Sequence, residues 1–329
     1  MARNTLVPPG DPELAWRPLC QEDGPALHQL ELDCAPTDGG TSLTTVEEYE
    51  RKLDQTGEDL VKDTLCAVDS SGQLAAFAWV TLDASLKHEC RAFLDGRVFP
   101  QHRGRGLGSF LVQWMEARAL QKLSELGEDR PGVLRIDFYD RSDDALALFE
   151  QHGFRLAFAE DEMRRDLRHP VPPVDLPDGY TFASWSQERA SLFFQTYHDA
   201  FKERPRFPHW SEETWRRNFT GGEGFRPDLS LLLLEGAEPV GFALCYMQTE
   251  AGPEPTTEGW IVQMGVRPAW RSRGLGGLLL GEALRRFQVE GLRRAVLDVN
   301  VDNHQARRLY ERLGFETWRR RTSYQKAAV

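Results

Sequence analysis

Val266-Arg-Pro-Ala-Trp-Arg-Ser-Arg-Gly-Leu-Gly276 decides the reading of this chain, because Val98-Phe-Pro-Gln-His-Arg-Gly-Arg-Gly-Leu-Gly108 spells nearly the same stretch 168 residues earlier. The two agree at Val, Pro, both Arg, Gly, Leu and Gly. A second pair follows in the same order. Leu309-Tyr-Glu-Arg-Leu-Gly-Phe315 answers Leu148-Phe-Glu-Gln-His-Gly-Phe154 at an offset of 161. Two ordered motif pairs at similar offsets mark a duplication on the scale of a domain. The first copy holds about seven more residues between its motifs, around 126–132.

The boundary falls between the copies. Arg168-His-Pro-Val-Pro-Pro-Val-Asp-Leu-Pro-Asp178 carries four prolines in eleven residues. Proline removes the amide donor and breaks helix and sheet alike, so this stretch reads as an extended linker. The expected organisation is a first domain over 1–168, a linker over 169–178 and a second domain over 179–329.

Each half gives the same coarse order. A strand comes first (15–19; 180–185), then helical segments, which in the second half span 188–201 and 211–219. A hairpin follows, 64–68 with 74–82 and 230–234 with 239–247, turning at Gly72 and Gly236. A further strand enters each glycine motif and a helix leaves it. Leu107, Phe110, Leu111, Trp114 and Met115 recur at helical spacing, as do Leu275, Leu278, Leu279, Ala283 and Phe287. A strand (133–139; 295–301), a short helix and a last strand complete each copy. The expected class is α/β in the α+β sense: two mixed, mostly antiparallel sheets flanked by helices.

Strand, glycine loop, helix is an anion-binding arrangement. The first turn of a helix leaves amide donors unpaired, and its dipole favours negative charge. Glycine lets the backbone approach a phosphate and take positive φ. A P-loop needs Lys-Ser/Thr after its last glycine, and neither copy has it. A dinucleotide fingerprint follows the first strand of a βαβ unit, whereas these loops follow the fourth strand, after hairpins.

The combination resembles the GCN5-related N-acetyltransferase superfamily. In that family a fourth strand runs into an Arg/Gln-x-x-Gly-x-Gly/Ala loop that grips the pyrophosphate of acetyl-CoA. A later Asn and a Leu-Tyr-Glu-x-x-Gly-Phe segment close the site. The resemblance covers nearly the whole chain as two copies. The tandem layout is similar to the mycothiol-synthase-like branch, in which the C-terminal copy does the chemistry. Carried over residue by residue, it implies that Arg271, Ser272, Arg273, Gly274, Leu275, Gly276 and Gly277 hold the pyrophosphate. It implies that Met264, Gly265 and Val266 pair with the pantetheine arm like an added strand. Asn303 is implied as a hydrogen-bonding partner of pantetheine, and Tyr310 as the acid that protonates the leaving thiolate.

The first copy keeps Arg103, Gly104, Arg105, Gly106 and Gly108, so the resemblance implies that it too can bind CoA. It has Phe149 where Tyr310 stands and Ser142 where Asn303 stands, which points to a degenerate, non-catalytic domain. The general base is less well marked. Many relatives place a glutamate six residues before the valine matching Val266, and that position is Trp260 here. Glu258 lies two residues earlier on the same strand face. Tyr246 and a water chain are alternatives. The segment Phe201-Lys-Glu-Arg-Pro-Arg-Phe-Pro-His-Trp210, with His209, reads either as an acceptor wall or as a plain surface loop.

Composition narrows the rest. The chain of 329 residues carries a net charge of −11, with 40% hydrophobic and 28% charged residues. That acidity lacks the basic face a duplex binder uses to displace counterions. The five cysteines are scattered, which argues for free thiols and against a disulfide framework or a zinc site. The N-terminus shows no signal pattern and the longest aliphatic run is far too short to cross a bilayer. The expectation is therefore a cytoplasmic enzyme, monomer or homodimer, using acetyl-CoA and no metal, bound to neither nucleic acid nor membrane. The leading function is acetyl transfer to a primary amine on a small molecule. The alternatives are a peptide or protein N-acetyltransferase and a non-catalytic acyl-CoA sensor or scaffold.

Overall fold

Residues 8–9, 13–38, 44–54, 59–84, 89–127, 130–139, 143–204, 207–222, 224–250 and 256–328 are described by a computed structural model. In chain order the elements are β1 (Ala15–Arg17), α1 (Gly24–Asp38), α2 (Val46–Leu53), α3 (Leu60–Asp63), β2 (Thr64–Val68), β3 (Leu74–Asp83), β4 (Cys90–Val98), α4 (Leu107–Leu126), β5 (Gly132–Tyr139), α5 (Asp143–Gln151) and β6 (Arg155–Asp166). They continue with β7 (Tyr180–Ser184), α6 (Ala190–Phe201), α7 (Glu212–Phe219), β8 (Leu231–Glu235), β9 (Glu238–Glu250), β10 (Thr256–Val266), α8 (Leu275–Val289), β11 (Arg294–Asn300), α9 (His304–Arg312) and β12 (Glu316–Ala328).

The chain folds into two compact units, residues 1–159 with 321–329 and residues 160–320. The sheet of the first unit runs β1-β2-β3-β4-β5 and ends on the 321–328 part of β12. The sheet of the second runs β7-β8-β9-β10-β11 and ends on the 160–166 part of β6. Among the described residues β4/β5 and β10/β11 pair in parallel, and the other registered pairs within each unit are antiparallel. This is the mixed, mostly antiparallel α+β architecture that the sequence predicts, built twice.

Local sequence accounts for most of these elements. Leu74 to Val80 is buried without interruption, as a strand covered on both faces must be. The helical stripes place Leu107, Phe110, Leu111 and Met115 in the core of the first unit, and Leu275, Leu279, Ala283 and Phe287 in that of the second. The hairpin glycines take the positive φ their turns require, +87° at Gly72 and +59° at Gly236. Much of the extra length in the first copy is helix, since α4 has 20 residues and α8 has 15.

The units do not divide where the sequence places its boundary. The single expected boundary is 169–178, but the chain changes units at 159/160 and again at 320/321. The reason lies in strand pairing. β6 pairs along β11 from Asp166↔Arg294 to Glu160↔Asn300, and β12 pairs along β5 from Arg321↔Tyr139 to Ala328↔Gly132. Each half of the chain thus supplies the last strand of the other half's sheet. Residues 169–178 hold no helix or strand, yet they touch α8, where Gln288 Nε2 donates to His169 O at 3.2 Å and Val174 lies against Gly281. Val171 packs on the core, Gln288 Nε2 donates to Leu167 O at 2.7 Å, and Arg165 donates to Pro170 O at 2.7 Å.

Candidate active site

The second glycine loop starts where β10 ends. A single 3-10 turn, Pro268–Trp270, reverses the chain, and Arg271 N donates to Pro268 O. Ser272 (φ +63°) and Gly274 (φ +79°) then take left-handed backbone, which aims the next amides outward at the start of α8. Among the described residues no acceptor meets the amides of Gly274, Leu275 or Gly276, while Gly277 N already bonds to Gly274 O. Three free donors on a helix dipole make an anion seat. The absence of side chains at Gly276 and Gly277 lets Leu309 of α9 close in, since a Cβ at these positions would lie 3.3 and 3.6 Å from its methyl carbons.

Arg271 does not point into that seat. Its Nε donates to Val266 O at 3.2 Å, its Nη2 to Ala200 O at 2.8 Å, and its Nη1 lies 3.6 Å from Glu203. The motif arginine braces the loop against β10 and the end of α6. Arg273 is exposed and donates to Ala269 O at 3.1 Å.

Beside the loop the sheet opens. β10 and β11 pair in parallel only at Gly259↔Ala295 and Trp260↔Val296. Beyond that, β10 stays registered with β9 through a bulge at Ile261/Gln263 as far as Val266↔Gly241, and β11 stays with β6. The wedge between them exposes the β11-facing backbone of Val262 to Val266, the stretch expected to receive an extended ligand arm. α6 presses on one face of the wedge: a Cβ at Gly265 would sit 3.0 Å from Ala200 and 3.1 Å from Phe201.

Tyr310 projects from α9 into the core cluster against which Met264 and Val266 of β10 also pack. It is 9% exposed, and its ring lies 6.1 Å from that of Phe315. Its hydroxyl makes no hydrogen bond with any described residue. Burial pushes the phenol up to about 12, against the pull of the nearby Arg204 charge. α9 is held by Asp161 of β6, fully buried, which accepts from Arg307 one turn before Tyr310 and from Arg320 Nε at 2.7 Å. Burial alone would raise the Asp161 carboxyl; the two guanidiniums outweigh it and hold it below the usual carboxylate range. Asn303 caps α9, its Oδ1 accepting from Ala306 N at 3.2 Å, so its amide NH2 is the group left for a ligand.

Glu258 is not brought to this cleft. It lies two residues before the strands part, roughly 20 Å along β10 from Met264. It is 1% exposed and held by Arg294 at 2.6 Å and Arg164 at 3.5 Å. Tyr246 stands opposite Trp260 on β9, packed on Phe225 at 5.7 Å, and burial raises its phenol. Sequence reasoning did not single out Arg204, which sits just past α6 within the suspected acceptor wall. Its only signal was a basic residue among aromatics.

The loop of the first unit repeats the backbone. Gly104 (φ +75°) and Gly106 (φ +82°) occupy the left-handed positions, and Arg103 Nε donates to Val98 O at 3.0 Å. A Cβ at Gly108 would meet Leu148 at 3.2 Å. Arg105 is exposed. Phe149 packs edge-on against Phe138 at 5.1 Å and beside Tyr324 at 6.1 Å. Ser142 lies outside the described residues. Among the described residues no cluster of three or more metal-ligating side chains occurs, and no helix is long and apolar enough to cross a membrane.

The acetyltransferase (GNAT) family pattern matches this chain twice, over residues 25–154 and 183–315. The chain belongs to the GNAT family. Among its curated relatives is the mycothiol acetyltransferase of Acidothermus cellulolyticus, 30% identical over 309 residues that cover 89% of this chain and 88% of the relative. A GCN5-related N-acetyltransferase from Sphaerobacter thermophilus has a similar solved structure, with a TM-score of 0.79, 28% identity and coverage of 98% of this chain and 97% of that one. A tandem GNAT protein from the clavulanic acid biosynthesis pathway shares the fold at a TM-score of 0.70 and 18% identity, over 96% of this chain and 99% of its own. The chain is thus an acetyltransferase with two GNAT domains in tandem.

Proposed function

We propose that this acetyltransferase moves the acetyl group of acetyl-CoA to a primary amine on a small molecule, with the chemistry in the second unit. The observation that carries this reading is the unpartnered Tyr310 hydroxyl on α9, the helix whose Leu309 packs on the glycine loop of free amides and whose core cluster also takes Met264 and Val266. The diphosphate of acetyl-CoA sits on the amides of Gly274 to Gly276. The pantetheine arm runs along Met264 to Val266 and meets the Asn303 amide. The amine nitrogen attacks the thioester carbonyl carbon, and backbone N–H groups at the end of β10 stabilise the oxygen as it gains charge. The C–S bond breaks, and the departing sulfur takes the Tyr310 proton. The amine's own proton passes to water, since Glu258 is engaged by two arginines. A phenol raised to about 12 stays protonated, and therefore able to donate, throughout the neutral range.

The small-molecule acceptor follows the relatives named for mycothiol, and the first unit has only Phe149 where an acid would stand. The test is release of free CoA thiol from acetyl-CoA across a panel of polyamines, amino sugars, amino acids and peptides. Tyr310→Phe should cost roughly 100-fold or more in kcat while leaving acetyl-CoA affinity unchanged. Undiminished turnover in that variant would remove Tyr310 from the mechanism, and turnover confined to peptides would replace the acceptor class.

A further inference from the structure

We infer that Arg204 recognises a negatively charged group, a carboxylate or phosphate, on the acceptor. The inference rests on the acetyl-transfer reading of the second unit and adds to it a feature of the substrate.

The guanidinium is placed by packing. Arg204 N donates to Phe201 O at 2.9 Å, closing the chain just past α6. The side chain lies over the Phe201 ring with the guanidinium carbon 3.9 Å from its centroid. That ring is itself fixed, edge-on to Tyr197 at 5.4 Å and Phe242 at 5.9 Å, with its tip against Gly265 of β10. Stacking on an aromatic face orients a guanidinium while leaving its N–H edges free for a planar, bidentate partner.

Neighbouring arginines already have partners. Arg271 is spent on two carbonyls and Glu203, and Arg267 on Asp199 and Glu238. Arg307 is spent on Asp161. Arg204 makes no ion pair or hydrogen bond through its guanidinium with any described residue, and it is exposed. The groups that act most on its charge are the phenol of Tyr310, the Arg271 cation, the phenol of Tyr197 and the Glu160 carboxylate. Glu160 pairs with Asn300 in the sheet and has interactions of its own. Desolvation by the surrounding protein lowers the Arg204 pKa, and the raising influence of Tyr310, Tyr197 and Glu160 does not outweigh it.

The position favours the acceptor over the cofactor. The diphosphate seat is formed by the amides beyond Arg271, whereas Arg204 stands near Tyr310, where sulfur leaves. An amine that attacks there places its own substituents against the end of α6. A small amine bearing a carboxylate or phosphate a few bonds from its nitrogen meets the guanidinium edge.

The test uses the full chain and matched pairs of amines: glucosamine 6-phosphate with glucosamine, and amino acids with their decarboxylated amines. Wild type, Arg204→Gln and Arg204→Lys are compared in CoA-thiol release and, with CoA present, in calorimetric binding. In at least one pair the anionic member should be preferred by about tenfold or more, the worth of a charge-assisted hydrogen bond. Arg204→Gln should erase that preference, and Arg204→Lys should keep part of it. Thermal melting checks that both variants are folded. A preference that survives Arg204→Gln overturns the inference, as does the absence of any anionic preference in both turnover and binding. An Arg204→Gln defect in acetyl-CoA affinity that vanishes with 3′-dephospho-acetyl-CoA also overturns it, by giving the arginine to the cofactor. Arg204-dependent binding without turnover of any amine would sink acetyl transfer and leave the inference standing; turnover without an Arg204-dependent preference would do the reverse.

Discussion

The two glycine loops of this chain have almost the same backbone and different surroundings. Gly104 and Ser272 share one left-handed position, Gly106 and Gly274 the next, and Arg103 and Arg271 brace the preceding strand through the same carbonyl, Val98 O and Val266 O. They part at the side chains. Arg103 carries on to the Asp38 carboxylate, where Arg271 meets only the Ala200 carbonyl and a more distant Glu203. Gly265 leaves the floor of the second wedge bare against Phe201. Arg97 occupies that position in the first unit, bonded to Glu31 at 2.7 Å, and Glu31 also accepts from Tyr49. Phe149 stands where Tyr310 stands. A loop built from backbone stereochemistry and one bracing arginine can persist without the chemistry, because helix packing needs it as much as an anion does.

The largest expected effect tests how the units are built. Removing residues 321–329 takes the registered partner from β5 and the buried Tyr324 from the first core. Hydrogen exchange should show protection collapsing across β4 and β5 while β8 to β10 keep theirs. A uniform response across both units would erase the contrast. Next in size is the exchange of Tyr310 and Phe149. Tyr310→Phe should cost roughly 100-fold or more in kcat. Phe149→Tyr in that background should recover nothing, because the first unit carries Arg97, bonded to Glu31, where the second has the bare backbone of Gly265. Recovery in the double variant would mean that the phenol alone separates the two sites.

A smaller effect lies in the loops. Ser272 holds a left-handed backbone that Gly104 adopts at no steric cost. Ser272→Gly should therefore stabilise the second unit by about 0.5–1 kcal/mol, and Gly104→Ser should destabilise the first by a similar amount, both read from thermal denaturation. The subtlest test is pH. In the proposed mechanism Tyr310 acts in its protonated form, and burial raises its pKa to about 12. The rate should therefore show no loss from this group as pH rises through 10, the ordinary tyrosine range. A high-pH decline near 10 that Tyr310→Phe abolishes would place the phenol in a more solvated site than the fold gives it.

The motifs were legible because they are local. Positive φ at Gly106 and Gly274, the helical stripes of α4 and α8, and the hairpin turns at Gly72 and Gly236 are all set within a few residues, so their spelling declares them. Tyr310 was singled out by its Leu-Tyr-Glu setting, and the fold leaves its hydroxyl without a hydrogen-bond partner among the described residues. Glu258 looked available because strand alternation gives the face of a residue, not its distance from where β10 and β11 part, nor the arginines on other strands that take it. Arg204 was hidden for the opposite reason: nothing in a lone arginine says whether a carboxylate awaits it.

The sequence by itself determined that the chain is two copies of one α+β fold, each with a glycine-arginine loop after its fourth strand, and that only the second has the tyrosine. The tertiary structure alone decided which strand completes which sheet. β6 reads Arg-Leu-Ala-Phe-Ala-Glu-Asp-Glu-Met-Arg-Arg-Asp from Arg155, a run charged enough to suggest a solvated edge. In the fold Asp161 and Glu162 are buried; Arg164 of the same strand bonds Glu162, and the rest of their charge is met by Arg307, Arg319 and Arg320 from 146 or more positions away. Backbone hydrogen bonds between strands carry no address, so the partner of a strand is chosen by such distant charges and by the shape of the core, neither of which is written in the strand itself.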